Sequence, residues 1–108
     1  MAADIPTAAR LGAWMAVRLA VFRSQDLVRP THLSVFSDRV EVTRRYGRVV
    51  RTRRIDYEAL SSVEIVVAKG SMSVVMVDDM GVVPIPLMGR SDAWKARALI
   101  EGLRKPRS

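Results

Sequence analysis

Hydrophobic positions recur along this chain with two different periods. The first is helical. Leu11, Trp14, Met15, Leu19 and Phe22 fall at i, i+3, i+4, i+8 and i+11, one face of a helix over residues 7–23. Asp4 or Thr7 can cap its start, and Pro6 is tolerated in a first turn. The apolar run from Leu11 to Phe22 is 12 residues long and contains Arg18. A membrane span needs about 20 apolar residues, so no transmembrane helix is expected. The helix is read as packed on the core, with a helix lying on a membrane surface as the alternative, weakened by the few basic residues on its polar face.

After Pro30 the period drops to two. Short alternating runs predict strands over 31–36, 39–45, 48–55 and 62–68, then a hairpin of 74–77 and 82–87 around Asp78-Asp79-Met80-Gly81. Val40 and Val42 share one face of the second run, with Arg39, Glu41 and Thr43 on the other. Val63, Ile65 and Val67 are expected to point inward from the fourth. Residues 56–61 read as a polar turn, and Lys69-Gly70 as another. Pro84 and Pro86 lie two apart and lack N–H groups on one side, which marks the strand as a sheet edge or as locally irregular. Ser91 is a good N-cap for a closing helix over 92–103, Asp92 suits its positive end, and Ala96, Leu99, Ile100 and Leu103 form its apolar face.

The hairpin of 39–55 admits two registers. A two-residue turn at Tyr46-Gly47 puts Val42 opposite Arg51 and mixes charge into the apolar face. A three-residue loop at 45–47 pairs Val42 with Val50, Val40 with Thr52, Glu41 with Arg51 and Arg39 with Arg53. It also places Gly47 at a left-handed position. Each face is then consistent, so this second register is expected.

From residue 31 onward the order is strands, a polar turn into a strand, a hairpin, and a capped helix. The run Arg53-Arg54-Ile55-Asp56-Tyr57-Glu58-Ala59-Leu60-Ser61-Ser62-Val63-Glu64 resembles the step between strands in bacterial PH-like domains. Ile85-Pro86-Leu87 followed by Ser91-Asp92-Ala93 is similar to their ending, and the resemblance covers residues 31–104. It implies a barrel-like sheet plugged by a helix, and a binding or assembly role with no catalytic residues to carry over. The family's usual tandem transmembrane helices are missing, and one amphipathic helix stands in their place. The fold expected is therefore α+β: an antiparallel curved sheet or partly open barrel closed by a C-terminal helix, with an extra N-terminal amphipathic helix. Residues 1–30 would form that helix and a linker, and 31–108 the PH-like domain.

Composition adds bounds. At 108 residues there is room for one domain, and 49% hydrophobic content suffices for a core. The absence of cysteine excludes disulfides, thiolate chemistry and cysteine metal sites, and fits a reducing compartment. No positively charged leader precedes an apolar run at the N-terminus, so a cytoplasmic protein is expected, peripheral at most to a membrane.

Charge changes the picture more. The net charge is +7, yet residues 39–54 hold seven arginines and one acid, for +6. Arg39, Arg45, Arg48, Arg51, Arg53 and Arg54 are the candidate anion- or partner-binding residues. In the expected register Arg39 and Arg53 oppose each other, and like charges so placed destabilise a sheet unless something neutralises them. An acidic protein surface or anionic lipid would do so, lipid attraction being worth about 1 kcal/mol per basic residue. Nucleic acid is the alternative, weakened because only Tyr46 and Tyr57 stand near the patch as stacking platforms. Leu11, Trp14, Met15 and Phe22 are the expected face for self-association or assembly into a larger complex.

No enzyme constellation emerges. His32 with Ser34 and Asp38 lacks any nucleophile-elbow context. Asp78-Asp79 reads as a hairpin tip rather than a calcium loop. The six glycines are scattered and form no phosphate loop. No catalytic role, cofactor or metal is expected.

Overall fold

The computed structural model describes residues 17–104. Seven strands come first: β1 (Arg18–Arg23), β2 (Thr31–Phe36), β3 (Arg39–Tyr46), β4 (Val49–Asp56), β5 (Leu60–Ala68), β6 (Ser71–Asp78) and β7 (Gly81–Met88). One helix, α1 (Arg90–Arg104), follows. The strands form two antiparallel sheets, ordered β1-β2-β3-β4 and β5-β6-β7.

Alternation decides which side chains turn inward. Leu33, Val35, Val40, Val42 and Ile55 from the first sheet meet Val63, Val74, Met76, Val83 and Ile85 from the second. Ala93, Ala96 and Ile100 bring the helix onto the same core. The small alanines permit this close approach. Ala96 is fully buried, so Ala96→Leu is expected to overpack the seam by about 1–3 kcal/mol, read as a lower urea midpoint.

The expected single curved sheet, partly closed as a barrel, is corrected: these are two separate open sheets. The chain leaves the first through a tight turn, in which the Ala59 N–H donates to Asp56 O at 2.9 Å and the Leu60 N–H to Tyr57 O at 3.2 Å. The Tyr57 hydroxyl ties that turn back by donating to Phe36 O at 2.6 Å. Burial, with Asp38 nearby, pushes the Tyr57 phenol up to about 12. The sheet edges are then capped separately. Arg97 and Arg104 of α1 donate to the β5 carbonyls Val63 O and Leu60 O, at 3.2 and 3.1 Å. On β7, which is an edge strand as its prolines imply, Arg44 donates to Pro84 O.

The N-terminal helix expected over 7–23 is also corrected. Residues 18–23 are strand β1, and 7–16 lie outside the described residues. The spacing of 19 and 22 satisfied a helical face, but Val21 and Phe22 suit a strand equally well. Pairing with β2 settles the matter: Ala20 lies opposite Val35 and Phe22 opposite Leu33. Phe22 is therefore a core residue, 9% exposed, and not part of an assembly face. Leu11, Trp14 and Met15 fall outside the described residues.

Two smaller corrections follow from the same geometry. The Ala93 N–H donates to Gly89 O at 2.8 Å, so Gly89 rather than Ser91 stands at the N-cap. Asp92 does occupy the first helical turn. Val67, expected inward, is exposed at the end of β5 beyond the cover of the core.

Candidate anion-binding cleft

The hairpin of β3 and β4 closes through a two-residue turn at Gly47-Arg48, with Tyr46 opposite Val49. Gly47 has φ +60 while Arg48 keeps a negative φ, the pattern of a type II′ turn, which places glycine first. Val40 lies opposite Ile55, Val42 opposite Arg53, and Arg44 opposite Arg51. None of the expected pairs, Val42–Val50, Val40–Thr52, Glu41–Arg51 or Arg39–Arg53, forms. Ile55 is the reason. The observed register buries it against Val40, whereas the expected one buries Val50 near the tip, where the second sheet no longer covers it.

This register divides the arginines between two faces. On the outer face, at the base of the hairpin, charge is matched. Arg39 bonds Asp38 at 2.9 Å and Glu41 at 2.8 Å, and lies 4.3 Å over the Phe36 ring. The Glu41 hydrogen bond chiefly raises the Arg39 pKa, against the opposing effect of burial. Arg54 pairs with Asp56 at 2.9 Å. Arg39 and Arg54 thus have acidic partners within the hairpin and its flank.

On the inner face the apolar rows run out before the strands do. The β3 row reads Val40, Val42, Arg44, Tyr46, and the β4 row Ile55, Arg53, Arg51, Val49. Arg53 reaches across to Asp78 on β6 at 2.6 Å. The Asp78 side chain is only 5% exposed, and it also accepts the Met80 N–H at 2.9 Å. Burial pushes its carboxyl up, but the Arg53 hydrogen bond and the Met80 N–H outweigh this and hold it below the usual carboxylate range. Arg44 donates to Pro84 O. Between this hairpin face and Val82, Val83 and Pro84 of β7 lies a cleft of about 450 Å³.

The tip carries the remaining charge. Arg45, Arg48 and Arg51 show no side-chain hydrogen bond or ion pair with any described residue. The Arg45 N–H donates to Pro30 O at 3.1 Å, which sets the β1–β2 loop beside the tip. In that loop the Asp26 carboxylate accepts the Val28 and Arg29 N–H groups at 2.9 and 3.1 Å. The turn so formed holds Leu27 and Val28 outward, 94% and 82% exposed. Tyr46, Val49 and Val50 are exposed at the neighbouring tip.

Of the six arginines expected to bind a partner, Arg39, Arg53 and Arg54 have acidic partners in the structure, and Arg45, Arg48 and Arg51 have none among the described residues. Arg44 and the β7 wall were missed. Arg44 was legible from parity alone, since it continues the row of Val40 and Val42 in any register. His32 is exposed on β2, and Asp38 serves Arg39. Compared with known proteins, the chain matches no family model, no curated protein and no solved structure.

Proposed function

We propose that this chain is a non-catalytic interaction module, of the PH-like kind its sequence resembles, that docks peripherally on an anionic membrane surface. One observation carries the reading: at a single end of the molecule, exposed Leu27, Val28, Tyr46, Val49 and Val50 are interleaved with Arg29, Arg45 and Arg48. Apolar side chains can enter the headgroup boundary while the guanidinium groups meet anionic lipid. An acidic protein surface would use the arginines but would leave the exposed Leu27 and Val28 unexplained. Among the described residues no helix is long and apolar enough to cross a membrane.

Vesicle flotation tests this. Wild type is expected to float with phosphatidylcholine vesicles only when phosphatidylserine is included, and less so as salt rises. Arg45→Gln/Arg48→Gln should weaken association about thirtyfold, from about 1 kcal/mol per basic residue. Leu27→Asp/Val28→Asp should weaken it comparably. No association with anionic vesicles at low salt would overturn the proposal. Binding to polyglutamate or to single-stranded RNA that the Leu27→Asp/Val28→Asp variant retains in full would assign the tip to an acidic protein or to nucleic acid instead.

A further inference from the structure

The inner face of the hairpin poses a separate question, because it places like charges together with no acid to relieve them. Arg44 and Arg51 are directly opposite each other on β3 and β4. Side chains so placed have Cβ atoms about 5 Å apart, and like charges there destabilise the pair. Among the described residues no carboxylate lines the cleft. Asp78, the acid that pairs with cleft-lining Arg53, also accepts the Met80 N–H. Arg44 uses one donor on Pro84 O, and Arg51 uses none. Both arginines line an open hollow of about 450 Å³, and most of their donors have no partner among the described residues.

We infer that this cleft is a binding site for a phosphate group, held between Arg44 and Arg51. The geometry selects phosphate over carboxylate. One carboxylate presents two oxygens and is satisfied by one guanidinium fork. A phosphate monoester presents three terminal oxygens and close to two negative charges, so it can take a fork from each arginine and cancel both. Val42, Val83 and Pro84 give the cleft an apolar wall beside those charges, which keeps the charge-assisted bonds from full competition by water. The ligand class is a phosphomonoester or diphosphate, supplied either by a soluble molecule or by a lipid headgroup. The inference rests on the same hairpin as the membrane reading, and Tyr46 borders both, but it uses Arg44 and Arg51 where that reading uses Arg29, Arg45 and Arg48, so either can fail alone.

Inorganic pyrophosphate is the probe, titrated at low salt into the isotope-labelled full chain and followed by backbone and arginine Nε–H NMR signals. Saturable shifts at Arg44, Arg51 and Val83 are expected. Arg51→Gln should weaken binding about tenfold, while Arg45→Gln, which removes the same charge from the outer face, should change it less than twofold. Arg51 holds no structural partner, so Arg51→Gln should fold, with a melting temperature equal to or above that of the wild type. Pyrophosphate should raise the wild-type melting temperature and not that of the variant. Shifts that never saturate, or equal weakening by Arg45→Gln and Arg51→Gln, would overturn the site in favour of diffuse charge attraction.

Vesicles distinguish the sources. If phosphatidic acid, a phosphomonoester, is preferred over phosphatidylserine and pyrophosphate competes, the group is a lipid headgroup. Equal partition onto both with pyrophosphate binding intact assigns a soluble phosphate ester. Leu27→Asp/Val28→Asp should weaken vesicle association about thirtyfold, as above, and leave pyrophosphate affinity unchanged. Loss of pyrophosphate binding in that variant would overturn the separation of the two sites.

Discussion

Phe22→Ala is expected to destabilise the domain by about 3–5 kcal/mol, the usual range for emptying a buried phenylalanine site. For a chain of this size that is a fall in melting temperature of more than about 10 °C. Phe22 is 9% exposed and lies opposite Leu33 on the neighbouring strand. Truncation removes its apolar area from the core and leaves a void that two hydrogen-bonded sheets cannot collapse to fill. Thermal unfolding followed by circular dichroism checks the figure. The outcome also discriminates between two structures for the segment. On a helix face devoted to assembly, Phe22→Ala would change the sedimentation coefficient and spare the stability. In β1 it should lower stability at every protein concentration.

That residue shows where the sequence was readable and where it was not. From 31 onward the strands, the turns at Lys69-Gly70 and 78–81, the β7 edge and the closing helix all follow from local signals. Glycine, proline and alternation act over a few residues, and nothing distant contradicts them. Residues 18–23 differ because their hydrophobic positions satisfy both periods. Only a partner strand, eight residues further on, decides between them. The same holds for the hairpin. Its existence was legible from alternation, but its register depended on which side chain the opposite sheet could cover. Ile55 on the inner row is buried, while Val49, at the tip end of that row, is exposed. A shift of register then moved Arg39 into a neutral outer network and set Arg44 against Arg51 inside. The charge excess survives as a property of the hairpin, but the residues available to a ligand changed with the pairing.

The Arg53–Asp78 pair is the second place where a large effect is expected, and its sign depends on pH. Arg53→Met keeps the apolar stem and removes the guanidinium, leaving a carboxylate that is 5% exposed with only backbone donors. A cost of about 1–3 kcal/mol at neutral pH is expected. The Asp78 pKa is depressed in the folded chain. The stability it contributes is therefore fully present above the unfolded aspartate value of about 3.9, and is lost as pH falls through the lower folded value. Removing Arg53 leaves burial to raise that pKa, so the variant should depend less steeply on acid than wild type. Urea midpoints measured between neutral pH and about pH 3 should converge as Asp78 protonates. In an Asp78→Asn background Arg53→Met should cost much less, because no charge is left unpaired. An equal cost in both backgrounds at all pH values would mean that Arg53 acts through packing alone. The pair also limits the cleft: with Arg53 neutralised from within the core, the charge open to a ligand on the inner face is that of Arg44 and Arg51. The cleft is thus tuned to one phosphate rather than to an extended polyanion.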